Sequence, residues 1–317
     1  MGLSIYEIKA LLASRRSGVD FTSVLTLGRQ TVFASPEEIF QLFEAFGLNT
    51  SLEEIEQMIT AHDHYAEGLL HYLGAKEVHS TDHSEYEGAT IIHDMNQPVP
   101  ASLKNRYSLV MDCGTLEHVF NFPQAIRNSM EMVRPEGHFV AITPSNNFPG
   151  HGFYQFSPEL FFRIFTPDNG FKMDHVIVFD IKRESRWYQV VDPEILKRRV
   201  IYDPLPPTYL YIQAKKTSIV EIFAKTPQQS DYVVAWAHAE QSDTTVSEQE
   251  NSQQTSISLA QKIYRRLPNF LQRIYRIIKS GRYVIQQGGG PEDVLRTIDP
   301  EALKEWDMTH LPDNKKL

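Results

Sequence analysis

The sequence predicts an α/β fold with a doubly wound sheet, in which parallel strands lie between two layers of helices. The first observation is a strand–helix–strand unit, formed by apolar runs at residues 107–111 and 138–144 around a helical period at 123–133. A Pro-Glu-Gly stop at 135–137 ends that helix. The second observation is that three more short apolar runs precede the unit, at residues 21–27, 77–82 and 89–94. Such a succession of strand steps is typical of a sheet joined by helical crossovers.

Capping signals mark the helices between these strands. Ser35 precedes a proline and two glutamates, which is the pattern of an N-cap followed by a first helical turn. Ser51 has Glu54 three residues further on, so a capping box is predicted there. Other helices are predicted at residues 5–15, 66–72 and 160–165. Late strands are predicted at residues 175–181, 209–214 and 232–236.

Length and composition describe a globular protein with one main domain. The chain has 317 residues, of which 41% are hydrophobic and 22% are charged. The single cysteine, Cys113, excludes an intramolecular disulfide and indicates a reducing compartment. No apolar run reaches the roughly 18 residues that cross a bilayer, and the first residues lack a signal-peptide pattern. We therefore expect a cytoplasmic protein.

The composition changes toward the C-terminus. After an N-terminal helix at 1–20 and a domain at 21–236, residues 237–258 are almost all Gln, Ser, Thr and acids, which predicts a disordered linker. Residues 259–287 hold seven Lys or Arg and no acid, with apolar residues at three- and four-residue steps. This segment predicts a basic amphipathic helical extension that docks on an anionic membrane surface or an acidic partner. The alternative is that it packs on the acidic body of the chain. Residues 288–317 are predicted to be a flexible tail.

The charge distribution bears on the partners of the body of the chain. The net charge is −9, and the basic segment makes the remainder more acidic still. An acidic body is poorly suited to the phosphate backbone, so we expect no nucleic-acid partner.

Polar residues follow the predicted strand ends, where ligands bind in sheets of this kind. Asp82 and Asp94 close two strands, and the run Leu-Glu-His-Val at 116–119 follows the next one. Residues 145–156, after the fifth strand, include three amides, four aromatics and His151 between two glycines. Simpler structural interpretations exist for each group: turn acids, helix capping and loop packing.

In this order and spacing, the strand steps, the two closing acids and the Leu-Glu-His-Val run resemble the class I S-adenosylmethionine-dependent methyltransferases, in their small-molecule branch. The resemblance covers residues 24–215 and is most specific at 78–94 and 107–143. It implies a Rossmann-like, seven-stranded methyltransferase fold whose last strand is antiparallel. It also implies an enzyme that transfers a methyl group from S-adenosylmethionine to a hydroxyl or similar nucleophile of a small-molecule or glycan-like acceptor.

The resemblance assigns roles on the donor side of this site. Asp82 would hold the ribose hydroxyls of S-adenosylmethionine, since a carboxylate accepts hydrogen bonds from both. Asp94 would accept from the adenine amino group. Gly28, in the first loop, would let the backbone approach the donor closely. The backbone near Gly114 would flank the methionine part of the donor.

On the acceptor side, an alcohol must lose its proton as it attacks the methyl group. A histidine that titrates near neutrality suits that task, so His118 and His151 are rival candidates for the general base. The side chains expected to bind the acceptor are Glu117, Asn146, Asn147 and Tyr154.

Two positions depart from the family pattern. The first loop has one glycine, Gly28, where a Gly-x-Gly pattern is usual, and Ser108 stands where an acid is common. The alternative function is therefore a methyltransferase-like binding or scaffold protein that has lost the donor. The 12 histidines show no ligand spacing such as His-Glu-x-x-His, so no metal site is expected. Hydrolase and nucleotide-triphosphatase motifs are also missing from the sequence.

Overall fold

The structure is a computed structural model, and it describes residues 2–181, 187–196, 206–233, 236 and 295–298. The chain divides into two compact units. The first unit consists of Met1–Val190, Pro207–Pro227 and Arg296–Leu317. The second consists of Val191–Pro206 and Gln228–Leu295, and its described part includes a short helix, Pro193–Leu196. The predicted linker at 237–258 and the basic segment at 259–287 lie outside the described residues.

The first unit alternates strands and helices along the chain. Its described helices are α1 (Ile5–Arg16), α2 (Pro36–Ala45), α3 (Leu52–Thr60), α4 (Glu67–Tyr72), α5 (Phe122–Met132) and α6 (Pro158–Ile164). The described strands are β1 (Gly2–Leu3), β2 (Ser23–Leu27), β3 (Thr31–Val32), β4 (Glu77–Asp82), β5 (Ile91–Ile92), β6 (Tyr107–Cys113), β7 (Val133–Asn146), β8 (Phe171–Asp180), β9 (Trp187–Val190), β10 (Thr208–Lys216) and β11 (Leu295–Ile298). None of the described helices is long and apolar enough to cross a membrane.

The main sheet is mixed, with strand order β11-β9-β8-β10-β7-β6-β2-β4-β5. The five strands from β7 to β5 run parallel, as predicted. β10 lies antiparallel between β7 and β8, so the antiparallel late strand that the resemblance implied is present. The predicted count of seven strands is wrong for the described residues, because β9 and β11 extend the far edge to nine. β11 also lies within the predicted tail at 288–317.

The helix starts confirm the capping predictions. Ser35 Oγ accepts a hydrogen bond from the Glu38 amide, while the Glu38 carboxylate accepts one from the Ser35 amide. Ser51 and Glu54 form the same reciprocal pair at α3. Each such N-cap contributes about 1 kcal/mol to helix stability.

Two predicted elements need correction. β7 begins at Val133, so the Pro-Glu-Gly stop lies inside a strand and not before one. The reason is a wide irregularity: β7 advances from Val133 to His138 while β6 advances only from Tyr107 to Leu109. The strand predicted at 232–236 is also wrong, because the described residues there, 230–233 and 236, are helical.

β5 is shorter than predicted, since only Ile91 and Ile92 pair with β4. Thr90 meets β4 through side chains: the Ser80 amide donates to Thr90 Oγ1, and the Thr90 amide donates to Ser80 Oγ. At the centre of the sheet, all seven residues of β6 are buried. A buried central strand of this kind holds the loop that follows it in a fixed position, and that loop carries the Leu-Glu-His-Val run.

Candidate functional site

The loops after the parallel strands are tied together at one edge of the sheet. The Gly28 amide, just after β2, donates to the Thr81 carbonyl in β4 at 2.7 Å. Thr115 Oγ1, just after β6, donates to the Leu27 carbonyl in β2 at 2.6 Å. The residues predicted for the donor and acceptor sides therefore share one rim.

The two predicted donor acids lie at neighbouring strand ends. Asp82 Oδ1 accepts a hydrogen bond from the Ser84 amide at 3.3 Å, so Asp82 stabilises the turn after β4, as the simpler interpretation of this acid proposed. Asp94 Oδ1 accepts from the amide and side chain of Asn96, and these hydrogen bonds lower the pKa of Asp94. The His93 amide donates to the Asp82 carbonyl at 2.8 Å, which joins the two loops. Within the described part of the chain, the Oδ2 atoms of both acids accept no hydrogen bond.

The first loop is held by side chains that the sequence analysis did not single out. Gly28 has φ 72°, in the left-handed region that favours glycine. Gln30 is buried, and its Nε2 donates to the Leu27 carbonyl at 2.7 Å and to the Gly28 carbonyl at 3.3 Å. Arg29 bonds to Glu67 at 2.7 Å and lies over the ring of Tyr65 at 3.8 Å. In the sequence, the only indication of this arrangement was the polar residue Gln30, two positions after the single glycine of the loop.

A buried acid shapes the turn that follows β6. Asp112 Oδ1 accepts hydrogen bonds from the amides of Thr115, at 2.9 Å, and Leu116, at 3.3 Å. These bonds fold residues Leu116–His118 into a single turn of 3₁₀ helix. Burial, together with nearby Glu117, raises the pKa of Asp112 well above its ordinary value. The turn directs Glu117 inward.

Glu117 is fully buried, with 0% of its surface exposed. Thr143 Oγ1 lies 3.5 Å from its Oε2, and His151 Nε2 lies 3.5 Å from its Oε1. Oε1 is buried and has no hydrogen-bond partner among the described residues. Burial raises the pKa of Glu117 from 4.5 to about 7.

The loop after β7 folds back onto Glu117. The amides of Phe153 and Tyr154 donate to the Glu117 carbonyl at 2.8 and 3.2 Å. A Cβ on Gly152 would lie 2.8 Å from that carbonyl oxygen, and Gly152 has φ 71°, so this close approach requires glycine. The loop thereby brings His151 to the carboxylate.

We call Glu117, His118 and His151 the Glu117 cluster. The two imidazole rings lie 5.1 Å apart at 63°. Burial, and then nearby His151, lowers the pKa of His118. One side-chain ligand atom from each of the three residues lies within 4.8 Å of the others. The sequence placed these residues at neighbouring strand ends, but the 32 positions between His118 and His151 hid their proximity.

The remaining predicted residues surround the cluster to different degrees. Gly114, with φ 91°, adjoins it, because a Cβ there would lie 3.5 Å from Glu117 Oε1. Tyr154 Oη donates to the Phe120 carbonyl at 2.6 Å, so its hydroxyl proton is already engaged. Asn146 is the last residue of β7 and aligns with Thr208 of β10. Asn147 is exposed and has φ 61°.

An aromatic rim, formed by Phe120 and Phe153, was not predicted. These two rings are 72% and 67% exposed and lie 5.9 Å apart, edge to face. Phe120 lies two residues after His118, and the Phe153 amide donates a hydrogen bond to the Glu117 carbonyl, so both rings lie near the cluster. The signals in the sequence were an aromatic directly after the Leu-Glu-His-Val run at 116–119 and another two residues after His151.

Comparisons with known proteins concern the fold. No protein-family model and no curated protein matches the chain. A protein of Bacillus halodurans assigned as a methyltransferase is 11% identical, with a TM-score of 0.33, and the match covers 66% of this chain and 99% of that one. An assigned S-adenosylmethionine-dependent methyltransferase of Listeria monocytogenes is 15% identical, with a TM-score of 0.34, covering 67% of this chain and 100% of that one.

A third structure contains bound S-adenosylhomocysteine. It is the 1,6-didemethyltoxoflavin-N1-methyltransferase of Burkholderia thailandensis, 13% identical, with a TM-score of 0.30 and coverage of 68% of this chain and 79% of that one. At these identities and scores, a functional assignment must come from the residues of this chain.

Proposed function

We propose that this protein transfers a methyl group from S-adenosylmethionine to a hydroxyl or similar nucleophile of a small-molecule or glycan-like acceptor. One observation carries the proposal. Two carboxylates with an uncommitted oxygen follow β4 and β5, while a carboxylate with two histidines follows β6 and β7, all at one rim of the sheet. The first pair suits a nucleoside, and the second group suits deprotonation of a nucleophile.

The residues on the donor side fit a nucleoside. The free Oδ2 of Asp82 is available to ribose hydroxyls, and the free Oδ2 of Asp94 is available to an amino group on the base. Gly114 supports the fit, because its positive φ and missing side chain leave the space beside Glu117 open. When bound, S-adenosylmethionine would supply an electrophilic methyl group on a sulfonium sulfur, for in-line transfer that releases the sulfur as a thioether.

On the acceptor side, His151 and His118 are the candidates to accept the hydroxyl proton. His151 is 48% exposed, so an acceptor can reach its ring, while the Glu117 carboxylate, with Oε1 3.5 Å from Nε2, stabilises the protonated imidazole by its charge. His118 lies beside it in the same cluster. Each exposed ring of the aromatic rim offers an apolar face against which a ring-shaped acceptor can pack.

The test is transfer of labelled methyl from S-adenosylmethionine to a panel of hydroxylated small molecules and oligosaccharides. We expect His151→Ala or His118→Ala to lower turnover about 10²–10⁴-fold, which is the usual contribution of a general base, with little change in donor affinity. His62→Ala, a histidine outside the cluster, is the matched control. Transfer that survives in both cluster variants would mean that neither histidine removes the proton.

A second candidate, a methyltransferase-like binding or scaffold protein without a donor, is favoured by the first loop. The Gly28 amide is already bonded to Thr81, and Gln30 occupies the carbonyls of Leu27 and Gly28. A loop satisfied in this way has less backbone to offer a ligand. Under this alternative, the wild-type protein does not bind S-adenosylmethionine at all.

A further inference from the structure

We infer that the Glu117 cluster binds a divalent metal cation, and that its ligands suit zinc. The site would consist of one Glu117 carboxylate oxygen and one ring nitrogen each from His118 and His151. Metal binding by these residues does not depend on the proposed methyl transfer. A role of the metal in activating the acceptor does rest on it.

The first support is the unmatched carboxylate oxygen. Glu117 Oε1 is fully buried and points at His151 without a hydrogen bond. No lysine or arginine forms an ion pair with Glu117 within the described part of the chain. Ionising a buried carboxylate left in this state is unfavourable, and a bound cation would offset that penalty. Buried polar groups without a partner therefore point to a missing ligand.

The second support is the spacing of the ligand atoms. Zinc binds histidine nitrogen at about 2.0–2.1 Å and carboxylate oxygen at about 2.0–2.2 Å, so two ligands of a tetrahedral ion lie about 3.4 Å apart. His151 Nε2 and Glu117 Oε1 lie 3.5 Å apart. This distance is too long for a good hydrogen bond, but it matches the separation of two ligands on a tetrahedral zinc ion. The full set spans no more than 4.8 Å, and His118 and His151 are both exposed, so small side-chain rotations can close it.

The third support is that neighbouring groups hold Glu117 in position. Thr143 contacts Glu117 Oε2, and two loop amides hold the Glu117 carbonyl. Groups that fix a ligand from behind in this way increase metal affinity. Two imidazoles and a carboxylate also form the three-ligand set of catalytic zinc sites, in which the fourth position is open to water or substrate. Magnesium and calcium, which prefer all-oxygen ligands, fit this set poorly.

If the proposed function holds, the open position would receive the acceptor hydroxyl. The cation would stabilise the negative charge that forms as the O–H bond breaks, and the proton would leave to water. The hydroxyl oxygen would then form its bond to the methyl carbon as the carbon–sulfur bond of S-adenosylmethionine breaks. The histidines would act as ligands in that case, and neither would accept the proton.

The experiment is a calorimetric titration of Zn²⁺, and separately of Mg²⁺, into full-length protein that has been stripped with a chelator. We expect one Zn²⁺ per chain, with much weaker Mg²⁺ binding. Loss of supporting groups alone weakens metal sites about 10–100-fold, so Glu117→Gln or His151→Ala should weaken zinc binding at least about 100-fold. Glu85→Gln and His62→Ala, outside the cluster, should bind zinc like the wild type.

The visible spectrum of the Co²⁺-loaded protein provides a second readout that does not depend on variants. Intense bands typical of four-coordinate cobalt are expected in the wild type. Failure of the wild type to bind Zn²⁺, or unchanged zinc affinity in Glu117→Gln and His151→Ala, would overturn the inference. Neither result bears on the donor, because no S-adenosylmethionine is present in these titrations.

Discussion

Replacing Glu117 with glutamine should stabilise the metal-free protein at neutral and alkaline pH. Burial raises the pKa of Glu117 to about 7, against 4.5 for an ordinary glutamate. Between those values the folded state holds a proton that the unfolded state has released, so the free energy of unfolding falls as the pH rises. Glutamine has a similar shape and cannot ionise, so the variant does not lose this stability.

The size of the effect follows from the two pKa values. Each unit of difference is worth about 1.4 kcal/mol, so the wild type loses up to about 3 kcal/mol between pH 4.5 and pH 7. Below that range both proteins carry a neutral side chain and should be similarly stable. The advantage of Glu117→Gln should appear as the pH rises and should be complete by about pH 8.

Urea unfolding at about pH 5 and pH 8, with chelator present throughout, measures this difference. Glu85→Gln, in the exposed loop after β4, controls for the loss of one carboxylate at the surface. If Glu117→Gln gains no stability relative to the wild type between the two pH values, the carboxyl does not experience the buried environment described here.

Three other predictions concern the loop, the sheet and the basic segment. In Gly152→Ala the new Cβ would clash with the Glu117 carbonyl at a position with positive φ, whereas in Gly150→Ala the φ is also positive but no atom lies within 4 Å of the new Cβ. Thermal unfolding should therefore show a loss in the free energy of unfolding at least about 1 kcal/mol larger for Gly152→Ala. Burial lowers the pKa of Lys216 to about 8, so the wild type gains stability as the pH rises from there toward 10.5. The free energy of unfolding of Lys216→Met, measured in urea, should therefore fall further below that of the wild type, by about 2 kcal/mol between about pH 7 and pH 9.5. A difference that stays constant with pH would contradict this. In vesicle sedimentation, the full-length protein should bind anionic but not neutral lipid, and this binding should disappear when residues 259–287 are deleted. Each basic residue of the segment should contribute about 1 kcal/mol to binding. Equal recovery with and without the segment would refute docking.

Features of the fold that depend on neighbours in sequence were predictable. The caps at Ser35 and Ser51 rest on hydrogen bonds three residues apart, so the printed sequence contains both partners. β4 was predicted with its observed bounds, Glu77–Asp82, because a glycine after the preceding helix and a closing acid delimit it. The irregular start of β7 was not predictable, since it depends on how β6 passes beside it.

The candidate site shows the same division. Glu117, His118 and His151 could each be named from their positions after strands, but their contact could not. It depends on Asp112 folding one turn inward and on Gly152 allowing another loop to reach the Glu117 carbonyl. A search for metal ligands at fixed helical spacing misses such a group, because its members come from two loops.

Calorimetric titration of S-adenosylhomocysteine, the demethylated product of the donor, tests the central claim most directly. We predict that the wild type binds it and that Asp82→Ala weakens binding at least about 10-fold, because one or two hydrogen bonds to a charged group, worth about 1.5–3 kcal/mol each, are lost. Asp82→Asn, which keeps one acceptor oxygen, should fall between the two. No binding by the wild type, or an affinity of Asp82→Ala within about twofold of it, would contradict the donor site and favour the scaffold function.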